Sequence, residues 1–212
     1  DPELVCRRDG MFVPAHRYFK SNSSFGLDGC ELVAEVRPGY SESPLELTSK
    51  VRACIEYGHE KAPELDFFAG HFQDTSPIGG HIHISVAPSD NLVNSLDTVL
   101  YSLNNCIDDK QQRLKRERAG YGKRKAVRSK SYGFEYRTPG SFLISAAVTL
   151  VTFTLAKLTV IGAKYDHIDF EAVKGRSQSH TFLKNMKNIC TTIPDDCVEG
   201  LKELEVLIDK KF

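Results

Sequence analysis

Three short stretches of this 212-residue chain each place two chemically active side chains two residues apart: Glu35/Arg37, His81/His83 and Glu135/Arg137. Read as β-strands, each pair points to one side, because side chains alternate across a strand. Apolar residues back all three pairs: Ala34 and Val36, Ile82 and Ile84, Phe134 and Tyr136. Turn formers bound them, namely Pro38-Gly39, Gly79-Gly80 and Pro139-Gly140. Carboxylates with an imidazole suit a hard or borderline divalent ion, and Mg²⁺ keeps coordination positions for water and phosphate oxygens. Arginine beside such an ion grips phosphate with two parallel N–H donors and offsets charge that develops in phosphoryl transfer. If the three strands share one sheet, their residues describe a site for nucleotide-dependent phosphoryl chemistry. Two other readings use the same residues. One is hydrolysis on a metal without nucleotide, and the other is a set of ion pairs on a solvated sheet face.

The elements that must position these pairs are legible in outline. Asp1 to Cys6 reads as a short strand, Arg8-Asp9-Gly10 as a turn, and Met11 to Pro14 as the hairpin partner. A strand is expected over Cys30 to Arg37, with Glu31 on the side of Glu35 and Leu32 on the apolar side. Ser43-Pro44-Leu45-Glu46 carries a hydroxyl cap, a first-turn proline and an acid, which predicts a helix to about Gly58. Glu64 to Ala69 reads as a strand. Asn91 to Arg118 reads as one long helix, followed by a basic loop from Ala119 to Lys130 and a strand from Tyr132 to Arg137. The apolar run Phe142 to Ile161 reaches membrane-spanning length, but Lys157 and five Ser/Thr residues favour a buried core helix. Two amphipathic helices joined near Thr191 to Asp195 close the chain. The fold class is therefore α+β.

Formal net charge is zero, so the chain as a whole is not built to track nucleic acid or an anionic membrane. The charge is unevenly spread. Lys110 to Lys130 holds ten Lys/Arg against Glu117, while Asp195 to Phe212 holds six acids against three lysines. The basic segment leaves open a nucleic-acid-binding reading, in which affinity would fall steeply with salt. Six cysteines (Cys6, Cys30, Cys54, Cys106, Cys190 and Cys197) are scattered without a C-x-x-C pair. They read as reduced thiols of a cytoplasmic protein rather than a disulfide framework or a thiolate zinc site. No signal-peptide pattern is visible.

Four motifs occur here in one order: Asp1-Pro2-Glu3-Leu4; Gly26-Leu27-Asp28-Gly29 leading to Glu35-Val36-Arg37-Pro38; Gly79-Gly80-His81-Ile82-His83; and Tyr132-Gly133-Phe134-Glu135-Tyr136-Arg137-Thr138-Pro139. This ordered set resembles the phage-type carboxylate–amine ligases (amidoligases) of type 2, whose catalytic fold is similar to those of glutamine synthetase and glutamate–cysteine ligase. The resemblance covers roughly Asp1 to Leu158 and leaves out the tail from Ser177. It implies a curved, mainly antiparallel sheet whose concave face holds ATP and Mg²⁺ or Mn²⁺. Residues 1–176 would form the catalytic domain and 177–212 a helical extension packed on it. Carried over by position, Glu3, Glu35 and Glu135 resemble metal-binding carboxylates, while Arg137 and Arg37 resemble phosphate-binding or catalytic arginines. Arg124 and Arg128 resemble the arginine-bearing loop that contacts nucleotide phosphate or an acyl phosphate. One of His81 and His83 would meet metal and the other phosphate or substrate, with His83 favoured for the metal because it lies deeper in the strand. Asp28 and Glu31 would be further ligands or only turn and rim. The implied activity is ATP-dependent amide-bond formation through an acyl phosphate. Its partners would be small-molecule or peptide carboxylates and amines, nucleic acid entering only as a substrate. A homo-oligomer and a phage-encoded or bacterial, cytoplasmic location are compatible with it.

Overall fold

The computed structural model describes residues 1–27, 29, 31–104, 110–165 and 194–211. The first strand, β1 (Glu3–Arg8), pairs antiparallel with β2 (Met11–Val13), the expected hairpin partner. It also pairs with β5 (Asp66–Phe68) and, at its start, with β4 (Ala34–Val36). The strand β3 (Phe25–Leu27) flanks β4. A second antiparallel sheet runs β8 (Ile82–Ile84), β10 (Gly133–Tyr136), β9 (Val127–Lys130). A two-residue hairpin, β6 (Phe72–Gln73) and β7 (Ser76–Pro77), leads into β8. The bridge Pro2–Gly80 and a 2.8 Å hydrogen bond from Glu3 N to Gly79 O join the two sheets at a seam.

Alternation sorts the strands into two faces. Leu4, Ala34, Val36, Ile82, Ile84, Phe134 and Tyr136 are all buried in one hydrophobic core with residues of the helices. That core includes α1 (Pro44–Lys61), α2 (Asp90–Asn104), α4 (Ala146–Tyr165) and α5 (Asp195–Lys211), while α3 (Lys110–Arg118) lies apart against β6. The apolar face fixes the register, since a one-residue slip would turn its residues to solvent. The polar pairs are thereby forced onto the opposite face.

The helix α4 organises the other layer, packing against α1, α2 and α5. By length and composition, Ala146–Ala163 is apolar enough to cross a membrane, but two thirds of that window is buried inside the fold. Thr152 and Thr159 satisfy their hydroxyls locally, each donating to the carbonyl four residues earlier at 2.7 Å. Lys157 is explained by its reach, donating to Glu42 O at 2.8 Å and to Asp196 Oδ2 at 2.7 Å. It thus pins the start of α5, whose Cys197, Leu201 and Leu204 join the same core.

Several expected boundaries move. The strand predicted over Cys30 to Arg37 shrinks to Ala34–Val36, with turn at Glu31 and Leu32, and Leu32 is exposed rather than core-facing. The single helix predicted over Asn91 to Arg118 is described as α2 and α3, with 105–109 outside the described residues. The basic loop contains β9, which completes the second sheet. Ser43 caps α1 as expected, accepting from Glu46 N at 3.3 Å. Asp28, the boundary at 176 and the first of the two predicted tail helices lie outside the described residues, as do Cys30, Cys106 and Cys190. The other three cysteines are free and buried.

Candidate active site

Strand pairing sets the polar residues in rows. Glu3 stands opposite Glu35 across β1 and β4. His83 stands opposite Glu135, which stands opposite Arg128 across β8, β10 and β9. The seam brings the two rows together around a cleft of about 490 Å³. Its lining includes Glu3, Glu35, His81, His83, Glu135 and Arg137, so all three sequence pairs contribute to it except through Arg37.

The floor of the cleft is acidic and buried. Glu3 is 6% exposed, and its Oε2 accepts from Gly79 N at 2.6 Å, a bond that fixes the carboxylate against the seam. Glu135 is 3% exposed, with Arg137 Nη1 at 2.9 Å, Lys130 Nζ at 3.1 Å and Arg128 Nη1 at 3.5 Å. Burial alone would raise its pKa, but Lys130, Arg137 and Arg128 outweigh burial and hold it below the usual carboxylate range. It is therefore ionised at neutral pH.

His81 lies between the two carboxylates. Its Nδ1 is 3.4 Å from Glu135 Oε1 and 3.8 Å from Glu3 Oε1. Burial first, and Arg137 second, push its pKa down to about 2, so the ring is neutral and retains one lone pair for a ligand. Gly79 makes room for this ring. A Cβ at that position would stand 3.0 Å from His81 Cδ2 and Cε1, and closer still to Nε2. His83 is placed differently. Its Nε2 lies 3.0 Å from Asp1 Oδ2 and its Nδ1 meets the Tyr132 hydroxyl, with burial lowering its pKa to about 4. The geometry thus sets His81, rather than His83, among the buried carboxylates.

The arginines divide into two groups. Arg128 and Arg137 line the cleft. Arg37 ion-pairs with Glu35 and donates to Ser21 O at 3.0 Å, Ser23 O at 3.2 Å and Leu27 O. It ties the segment before β4 onto that strand and steadies Glu35. Arg124 is exposed and acts through space on the Tyr136 hydroxyl, on the other side of β10. There the buried Asp97 accepts from Tyr136 OH at 2.7 Å, Lys125 N at 2.8 Å and Thr138 Oγ1 at 3.3 Å, anchoring the loop that enters β9.

Sequence reading missed several contributors. Lys130 forms a fourth i, i+2 pair with Arg128, a signal that was available once β9 was recognised as a strand. Arg116 was one cation among ten, yet it is buried and lines the cleft, donating to Thr138 O at 2.8 Å and Arg137 O at 3.3 Å. Nothing in the sequence marks Asp97 as the anchor of a loop nearly 30 residues away.

Chemically, the cleft offers two buried carboxylates, a neutral imidazole and a ring of cations. Among the described residues no acidic or imidazole trio is closed up as a metal cage. The carboxylates are balanced instead by Arg and Lys. A family model for phage phiEco32-like COOH.NH2 ligases of type 2 matches residues 1–210, which takes in the C-terminal helix as well as the four motifs. Among curated proteins and among solved structures, nothing matches the chain. A match over nearly the full length shows that the chain belongs to the phage phiEco32-like COOH.NH2 ligase type 2 family.

Proposed function

We propose that this ligase joins a carboxylate to an amine by an ATP- and Mg²⁺- (or Mn²⁺-) dependent route through an acyl phosphate, on a glutamine synthetase-like catalytic fold. The observation that carries this reading is the pairing of Glu3, His81 and Glu135 with Arg128, Lys130 and Arg137 in one cleft. The donor set fits a hard divalent ion, with ionised carboxylates and a neutral imidazole, and the cations fit polyphosphate. When bound, the nucleotide–metal complex supplies an electrophilic phosphorus. Glu3, His81 and Glu135 would hold the ion, and Glu35, steadied by Arg37, borders the same lining. Arg128, Lys130 and Arg137, which balance Glu135, would also present their donors to phosphate oxygens. The chain's task is then orientation and charge compensation, with no nucleophilic side chain required. The described cysteines lie buried away from the cleft lining, in keeping with this. Substrates would be small-molecule or peptide carboxylates and amines.

The basic segment offers little to a nucleic-acid reading as one continuous stripe, because Arg116, Arg128 and Lys130 turn into the cleft. The test of the proposal is release of ADP and phosphate with Mg²⁺, stimulated by mixed carboxylates and amines. Glu135→Gln should lower that rate by at least about 100-fold. A wild-type chain that binds zinc, ignores ATP and tolerates Arg137→Met would make it a nucleotide-independent hydrolase instead.

A further inference from the structure

Two buried hydrogen-bond donors in the cleft have no partner: Arg116 Nε and Ser76 Oγ. Arg116 is 2% exposed and Ser76 is 4% exposed. Leaving such a group unpaired is costly, so a buried orphan in a cleft marks a place where a ligand atom completes the set. Arg116 is also built into its position. Its Nη1 and Nη2 go to the neutral main-chain carbonyls of Thr138 and Arg137, while Glu3 and Glu117 offset its charge through space. Gly122, at φ +69°, lies flat against it, and a Cβ there would stand 2.8 Å from Arg116 Cζ. Burial lowers the Arg116 pKa to about 10, which still leaves it a cation at neutral pH. The helix that carries it packs on β6, the hairpin partner of the strand bearing Ser76.

We propose that Arg116 and Ser76 form a carboxylate subsite, which holds a second, non-reacting carboxylate of the acyl substrate. The proposal rests on the ligase reading above. Charge matching separates this subsite from the nucleotide's. Three partly exposed cations surround Glu135 and suit a polyphosphate, whereas one deeply buried guanidinium with one hydroxyl suits a single negative charge. A carboxylate gripped by a guanidinium is also a poor nucleophile, so the group held here is not the one activated. The substrate class is then a compound with two carboxylates, such as a dicarboxylic acid or an acidic peptide end.

The experiment uses the full chain with Mg²⁺ and measures the concentration at which glutarate or butyrate raises the melting temperature, beside a calorimetric titration with ATP·Mg²⁺. Glutarate should act at a concentration at least about tenfold below that of butyrate, the range of a hydrogen bond to a charged group. Ser76→Ala, which removes an unpaired hydroxyl and so melts at or above wild type, should close that gap while leaving ATP·Mg²⁺ affinity within about twofold. Arg116→Lys should close it as well. Equal potency of glutarate and butyrate on wild type would overturn the subsite. So would a loss of ATP·Mg²⁺ affinity in both variants with the glutarate preference intact, which would assign the two donors to phosphate. A wild-type chain that prefers glutarate but binds no ATP·Mg²⁺ would sink the ligase reading and leave the subsite standing.

Discussion

Replacing Gly79 by alanine tests the site without touching any group that does chemistry. The backbone there is not in the left-handed region, so alanine meets no conformational strain. Elsewhere such a change would stabilise slightly, by about 0.4–1 kcal/mol, through the unfolded chain. Here the new Cβ would sit 3.0 Å from two carbons of the His81 ring and nearer still to Nε2. Ordinary carbon contacts lie near 3.5–4.0 Å, so the ring must retreat by about 1 Å. The ring is packed between Glu3 and Glu135 and has little room, and overpacking of this kind costs about 1–3 kcal/mol. For a chain of this length that is a fall in melting temperature of about 2–12 °C. Displacement of His81 should weaken Mn²⁺ binding, read by electron paramagnetic resonance, by about tenfold or more. A misplacement of about 1 Å should slow ADP release by about 100-fold. Gly29→Ala is the control, since it also lines the cleft but its Cβ would meet nothing within 4 Å. The double variant Gly79→Ala/His81→Ala should recover the melting temperature but not Mn²⁺ binding. If Gly79→Ala melts like Gly29→Ala and binds Mn²⁺ as wild type does, the placement of His81 is wrong.

Asp97→Ala should leave the buried Tyr136 hydroxyl and Lys125 N without their acceptor, lowering stability by about 2–4 kcal/mol. The same variant should open the loop at Lys123 to Lys125 to brief trypsin digestion, while a loop that stays resistant would show another anchor. On the alkaline side, burial pushes the Cys6 thiol up to about 12 from an ordinary value of 9.0. Its contribution to stability is complete below pH 9 and falls as pH rises from 9 towards 12, by about 1.4 kcal/mol per pH unit, because the unfolded thiol ionises first. Urea midpoints from pH 8 to 10 should therefore drop less in Cys6→Val than in wild type, and parallel curves would refute the assignment.

The sequence made the face visible more readily than the roles of its members. Period-two alternation in Glu35/Arg37, His81/His83 and Glu135/Arg137 is a local property, and local properties survive in a linear reading. Which histidine meets the carboxylates is not local. It depends on the seam, where Gly79 yields the space that the His81 ring fills. Arg37 and Arg124 illustrate the same limit. A guanidinium satisfied by the carbonyls of Ser21, Ser23 and Leu27 looks, in sequence, like one held ready for phosphate. Conversely, Arg116 sits in a helix whose one large apolar residue is Leu114, so periodicity gave no reason to bury it. Its position follows from tertiary contact with the end of β10.

The seam also has a kinetic consequence. Glu3 and Gly79 are separated by 76 residues, so their pairing waits on the closure of a long stretch of chain, whereas hairpins such as β1–β2 need only a few residues to turn back. A refolding chain can therefore gain its hairpins and helices before Glu3 reaches His81. Until that late docking, the acidic floor does not exist in any partial form, because its two carboxylates arrive on strands from opposite sides of the closure. Competence to bind a divalent ion should then appear in step with the slowest phase of refolding, well after most of the helical signal has returned.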